Sequence, residues 1–279
     1  MNDIMTDIEI EKRARYFYVA CLAIFGYRLL SSTLFSQLSQ PVLIQPSIDN
    51  TYWLFHWLGI PHTATHSMLW SAILDFLLFL LPVMAIMSKQ RQPFAILFTL
   101  LAIGYQITIS TYSIHHYHGL VGVMVLSLPF WSSSRERFAY LWQGARYYFF
   151  FIFCSAAIWK LSRGSVFYSH EMSNIMMEQH AQYMSDYPST YMTTFYAYLI
   201  SHTAIAQSLL WAAVLLQLSY VGGFVTQRFD RLYIGLTILF VLANYATMSV
   251  FSFDLLVFCL VLWAQPRTII IPPNLRHGG

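Results

Sequence analysis

A lysine closes the apolar run Phe149-Phe150-Phe151-Ile152-Phe153-Cys154-Ser155-Ala156-Ala157-Ile158-Trp159-Lys160-Leu161, where hydrocarbon is expected and an ammonium is expensive. A charge inside a membrane helix costs roughly 2.5–3.5 kcal/mol on insertion scales, so it is seldom kept without a partner or a task. Two uses of Lys160 are open. Its head can snorkel to the nearby surface on its apolar stem, or the surrounding helices can hold the amine in a dry pocket and use it, in its neutral form, as a proton acceptor.

A histidine turn, His115-His116-Tyr117-His118-Gly119, offers a second chemical group beside Tyr112. Such imidazoles can exchange protons, donate hydrogen bonds or simply join an interfacial aromatic belt. His-His-x-His lacks the i,i+4 pairing of a helical zinc site and has no Asp or Glu beside it, so no metal centre is expected. Arg28 lies about 12 residues into the first apolar segment and Asp75 about eight into the second, from opposite sides, which at ~1.5 Å per residue gives them similar depths. An Arg28–Asp75 ion pair would staple two helices or orient a substrate carboxylate or quinone oxygen. His202, opening a later span, and Asn244, Tyr245, Thr247 and Asp254 near the end of the chain are further supporting candidates or interhelical glue. Gly-rich phosphate loops, a Ser-His-Asp order with an elbow glycine and paired catalytic carboxylates are absent. A basic stripe for nucleic acid is absent as well.

The elements that must position these groups are membrane helices. Of 279 residues, 57% are hydrophobic and 10% charged, against about 25% charged in a soluble domain, so the chain is expected to be an all-α, polytopic membrane bundle in contact with lipid. Apolar windows fall at about 16–35, 67–87, 94–114, 119–131, 146–162, 202–222, 231–249 and 250–265; a span needs about 20 residues, so the fourth and eighth are thin or tilted spans, or hairpin arms packed among the others. About eight spans in one domain over 1–279 are expected. The polar stretches 36–66 and 163–200 read as loops. With the N-terminus in the cytoplasm, twelve of the 15 basic residues, among them Lys89, Arg91, Arg135 and Arg146, fall on that side, as the positive-inside rule asks, and both termini are cytoplasmic. Nine of the ten histidines then lie on or near the outer face. The acidic start carries no basic n-region, so no cleaved leader is expected. Cys21, Cys154 and Cys259 sit in apolar runs without Cys-x-x-Cys spacing and read as small buried hydrophobes.

Ile24-Phe25-Gly26-Tyr27-Arg28, then His116-Tyr117-His118-Gly119-Leu120-Val121-Gly122, then Ala156-Ala157-Ile158-Trp159-Lys160-Leu161 occur in that order, followed by Ser201-His202 and Met248-Ser249-Val250-Phe251-Ser252-Phe253. In these short motifs the chain resembles the HTTM superfamily, the membrane domain shared with the vitamin K-dependent gamma-glutamyl carboxylases, over about 14–266. The resemblance implies a carboxylase- or epoxidase-like enzyme that uses reduced vitamin K or menaquinone with O2 and CO2. It gives Lys160 the place of the base and His118 that of the anion stabiliser, with His116 as the alternative, and Arg28, Asp75, His202 and Asn244 supporting. Trp159 stands where the carboxylases have a first lysine, and neither residue of their His-Cys pair occurs near Leu242-Ala243-Asn244. Their large luminal domain is not expected here, which favours a bacterial inner membrane with the site facing outward. The alternative is a non-catalytic maturation factor that binds a secreted peptide through Tyr183, Tyr187, Tyr191 and Tyr196 of the 163–200 segment.

Overall fold

The computed structural model describes residues 6–38, 57–112, 119–250 and 252–263. Among these the chain is helical, without a strand: α1 (Asp7–Leu30), α2 (Ile60–Ala64), α3 (Met68–Met87), α4 (Gln92–Tyr112), α5 (Val121–Ser127), α6 (Arg135–Ser162), α7 (Glu171–Asp186), α8 (Tyr191–Ser201), α9 (Thr203–Ser219), α10 (Gly222–Val225), α11 (Asp230–Met248) and α12 (Asp254–Trp263). Short 3-10 turns follow at Phe35–Gln37, Leu128–Trp131 and Ser165–Phe167. Each of the eight apolar windows coincides with one helix. Five segments, Asp7–Gln37, Met68–Met87, Gln92–Ser110, Thr203–Val225 and Asp230–Met248, are long and apolar enough to cross a membrane, so the protein is a multi-pass membrane protein. Val121–Trp131 and Asp254–Trp263 are apolar but short. Helix α6 has the length but opens with Arg135, Glu136 and Arg137.

Local chemistry sets several helix starts. Thr6 and Glu9 form a reciprocal capping box on α1, Ser67 Oγ accepts from Trp70 N at 3.2 Å to start α3, and Thr190 Oγ1 accepts from Thr193 N to start α8. Such caps satisfy amides that the first helical turn leaves without partners.

The described chain divides into two compact units, Met1–Ala145 with Phe253–Gly279, and Arg146–Ser252, the boundary falling inside α6. In the first, α1 packs on α3 and α4 through aromatic edges: Phe25 meets Phe79, Phe98 and Tyr105, and Phe17 stacks on Phe130. The two short helices, α5 and α12, are joined through Asp254, whose Oδ2 accepts from Gly122 N at 3.1 Å. A Cβ on Gly122 would lie 2.3 Å from the Asp254 carbonyl oxygen, so only glycine lets the backbones approach so closely. Gly122→Ala is expected to cost about 1–3 kcal/mol by overpacking, read as a lower melting temperature of the detergent-solubilised protein; an unchanged midpoint would show that α12 can shift freely.

In the second unit, Phe153 stacks on Tyr220 at 4.2 Å, Phe150 meets Tyr233, and Gly223 allows the Phe150 ring against the chain. Arg146 is buried: it donates to both oxygens of Asp230, at 3.1 and 2.7 Å, and to the Thr226 carbonyl, with its guanidinium over the Phe150 ring.

The stretch 163–200, expected as a loop, contains α7 and α8. Its overall polarity conceals an amphipathic helix: Met172, Met176 and His180, spaced by four, are buried, while Asn174, Glu178, Gln182 and Asp186 are exposed. The i,i+4 repeat is the helical period, and it outweighs composition here.

A lysine–glutamine contact and a polar-ended cavity

Lys160 lies in the last turn of α6, and its Nζ donates to Gln217 Oε1 of α9 at 2.9 Å. Gln217 is buried and Lys160 half-buried. The Gln217 carbonyl oxygen lies 3.9 Å from Cys154 Sγ, six residues earlier on α6 and therefore about 9 Å nearer that helix's start. Helical side chains lean toward the N-terminus, and this one follows that lean toward the interior of α6 rather than past its end. The amine is engaged by Gln217. Its neighbour Trp159 stays exposed and carries the Arg163 guanidinium 4.3 Å above its ring. Among the described residues no carboxylate lies within ion-pairing distance of Lys160.

Asp75 does not take up Arg28. Its two carboxylate oxygens accept from Phe35 N and Ser36 N, each at 2.9 Å, which caps the Phe35–Gln37 turn. The carboxylate that interacts electrostatically with Arg28 is that of Asp254. Depth counting could bring Arg28 and Asp75 level but could not show that two backbone amides, fixed by the turn, reach the carboxylate first. Arg28 and Asp254 are 2% and 3% exposed and share a cavity of about 430 Å³ between α1 and α12.

The other candidates disperse. His202 is exposed at the junction of α8 and α9, where Nδ1 contacts the Tyr198 carbonyl at 2.8 Å and the ring stacks on Tyr198. It stands fifteen residues from Gln217, about 22 Å along α9, so it does not meet Lys160 through that helix. Asn244 is half-buried near the end of α11 and its carbonyl accepts from Ser249 N, the left-handed residue that ends the helix. His115, His116 and His118 lie outside the described residues, as does His56. His62 and His66 are exposed with ring centroids 5.7 Å apart, and no group of three metal-ligating side chains occurs among the described residues. Tyr183, Tyr187 and Tyr191 are exposed, but Tyr196 is buried.

Tyr196 is buried because His180 stacks on it, ring centroids 3.6 Å apart, while His180 Nε2 donates to the Thr247 carbonyl at 2.8 Å. Helix α7 is not one of the spanning segments. Burial pushes the His180 imidazole below its ordinary value, opposed by the bond to Thr247. The folded chain therefore binds this proton more weakly than the unfolded chain. The stabilising contribution is complete above the unfolded value of about 6.5 and is lost as pH falls from there through the lower folded value. The melting temperature is expected to fall between pH 7.5 and 5.5, and His180→Gln, which keeps an N–H donor without titrating, should shrink that difference.

Gln217 and Asp230, the partners of Lys160 and Arg146, were both missed by sequence reasoning. Gln217 could have been found as the amide in the apolar run Val214-Leu215-Leu216-Gln217-Leu218. No family model, curated protein or solved structure matches the chain.

Proposed function

We propose that this protein is a quinone-dependent membrane enzyme, carboxylase- or epoxidase-like, in which Lys160 is the base. It spans the membrane eight times, both termini are cytoplasmic, and the site faces outward, in a bacterial inner membrane. The observation that carries the proposal is the Lys160–Gln217 contact: an amine turned into the protein and held by a neutral amide. A carboxylate partner would fix an ammonium; an amide oxygen positions the amine through one N–H and leaves its lone pair available once the proton is gone. These residues fit a ligand that delivers an O–H proton. Reduced menaquinone or vitamin K, when bound with O2, would supply that proton and the strong base: the quinol is oxidised to its epoxide, one oxygen atom entering the epoxide and the other leaving as water, while a substrate C–H proton is removed and CO2 takes its place. Lys160 Nζ would accept the quinol proton, and Gln217 would fix the amine's direction. His118, or His116, is given the anion-stabilising role by the resemblance alone.

Incubating purified protein with reduced menaquinone-4 and oxygen, then analysing the extract by mass spectrometry, tests the proposal. Epoxide from wild-type protein is expected; its absence under conditions where the protein stays folded would overturn it.

One observation favours a second reading, a partner-binding maturation factor: Tyr183 of α7, Tyr187 at its C-terminal end and Tyr191 of α8 are exposed, and exposed aromatic side chains are common anchors of interfaces. A Lys160→Ala chain with full cellular function would select that reading.

A further inference from the structure

Three spanning segments of the first unit present an end to one cavity. The start of α1, the turn from α3 to α4 and the turn that leads into α6 enclose about 780 Å³, within the usual range for small-molecule sites, roughly 300–1,000 Å³. The turn Ser88-Lys89-Gln90-Arg91 joins the last residue of one spanning helix to the first of the next. The cavity therefore lies at the depth where a bilayer changes from acyl chain to head group.

The charges around it do not cancel. Of the acids that line it, Asp7 is held through both carboxylate oxygens by Arg135, and Glu11 lies 3.9 Å from Arg15. Lys89 and Arg91 are left over: among the described residues neither has a carboxylate within ion-pairing distance. Lys89 is exposed. Arg91 is oriented by its Nε, which donates to the Ala85 carbonyl at 2.9 Å, while its Nη groups make no hydrogen bond among the described residues. Ser88 Oγ accepts from Gln90 N at 3.1 Å and so shapes the turn that carries both cations. Ser133, in the turn before α6, also lines the cavity; it is exposed, and its hydroxyl makes no bond among the described residues. A guanidinium, an ammonium and a hydroxyl with open donors match the several acceptor oxygens of a phosphate.

The apolar part of the site separates a lipid phosphate from a soluble one. Phe130 and Phe138, both buried, line the cavity with ring centroids 5.2 Å apart. Val83, Met84 and Met87 are exposed along the last turns of α3, an apolar strip that runs from the spanning part of the helix to the turn carrying Lys89. A free phosphate would use only the charged groups, whereas a phospholipid would use the strip as well.

We infer that this cavity binds an anionic phospholipid, its phosphate at Lys89, Arg91 and Ser133 and an acyl chain along Val83, Met84 and Met87. This site and the reaction proposed at Lys160 stand or fall separately.

Native mass spectrometry of the full chain in detergent, titrated separately with dioleoylphosphatidylglycerol, dioleoylphosphatidylethanolamine and sn-glycerol 3-phosphate, tests the inference. Wild type is expected to bind the phosphatidylglycerol at least about tenfold more tightly than either of the others. Lys89→Gln should weaken that binding about fivefold, the usual share of one basic residue at an anionic lipid surface, and Lys89→Gln with Arg91→Gln should weaken it further. Lys12→Gln removes an exposed cation of α1 that does not line the cavity and should leave binding unchanged; circular dichroism confirms that each variant is folded. Equal loss in Lys12→Gln and Lys89→Gln, or no loss in Lys89→Gln, would overturn the site in favour of diffuse surface charge. Equal binding of the phosphatidylethanolamine would overturn the preference for an anionic head. Equally tight binding of glycerol 3-phosphate would make this a soluble-phosphate site and overturn the lipid.

Discussion

Lys160→Met protein, inserted and folded like wild type, is expected to form quinone epoxide about 10²–10⁴-fold more slowly, the range lost when a positioned general base is removed. Methionine keeps much of the apolar stem and has no group that accepts the proton, so the loss isolates the chemistry from packing. The contact with Gln217 Oε1 at 2.9 Å makes a second, sharper expectation. Gln217→Glu places a carboxylate against the amine and ties up an ammonium in an ion pair, so activity should fall although the partner is retained. A lysine needed only for its positive charge would respond in the opposite sense, since that charge would be better held. Initial rates of epoxide formation for the three proteins, at matched folded concentration, decide between these outcomes.

Arg146→Met alone is expected to destabilise the second unit by about 3–5 kcal/mol, because it strands a buried carboxylate. Asp230 would lose both charge-assisted bonds, and the Thr226 carbonyl would lose its donor. The pair itself contributes much less than the single variant suggests, since desolvating two charges offsets most of their attraction. Arg146→Met with Asp230→Leu should therefore recover most of the loss. Thermal unfolding of the two variants in detergent checks this; equal destabilisation by the single and double changes would mean that Arg146 acts through packing on Phe150, over which it sits, rather than through its charge partner.

The helices were legible in the sequence to a degree that the pairings were not. Apolar windows of about 20 residues are set by the bilayer's thickness and need no partner to be recognised, and five of them give helical segments long and apolar enough to cross a membrane. Helix α7 was hidden because its buried residues recur only once per turn among polar ones, and only their spacing betrays them. The positive-inside rule counts residues near an interface and cannot tell a solvated arginine from one turned, like Arg146, onto a neighbouring carboxylate.

At the candidate site, Lys160 and Arg28 stood out because charge is rare in apolar surroundings. The partner of Lys160 did not: Gln217 is uncharged and so escapes a search for charges. Asp75 seemed the natural mate by depth, but the 3-10 turn at Phe35 presents two amides in the geometry a carboxylate accepts most readily. Which acid meets which base is decided by backbone positions that the spacing of side chains along one helix does not encode.

The central claim, that Lys160 is the base in quinone oxidation, is tested most directly by supplying reduced menaquinone-4 and ¹⁸O2 to wild-type and Lys160→Met protein side by side. Labelled epoxide is expected from wild type, and label at or near background from the variant. Equal label in both products would contradict it and assign the proton transfer to another group.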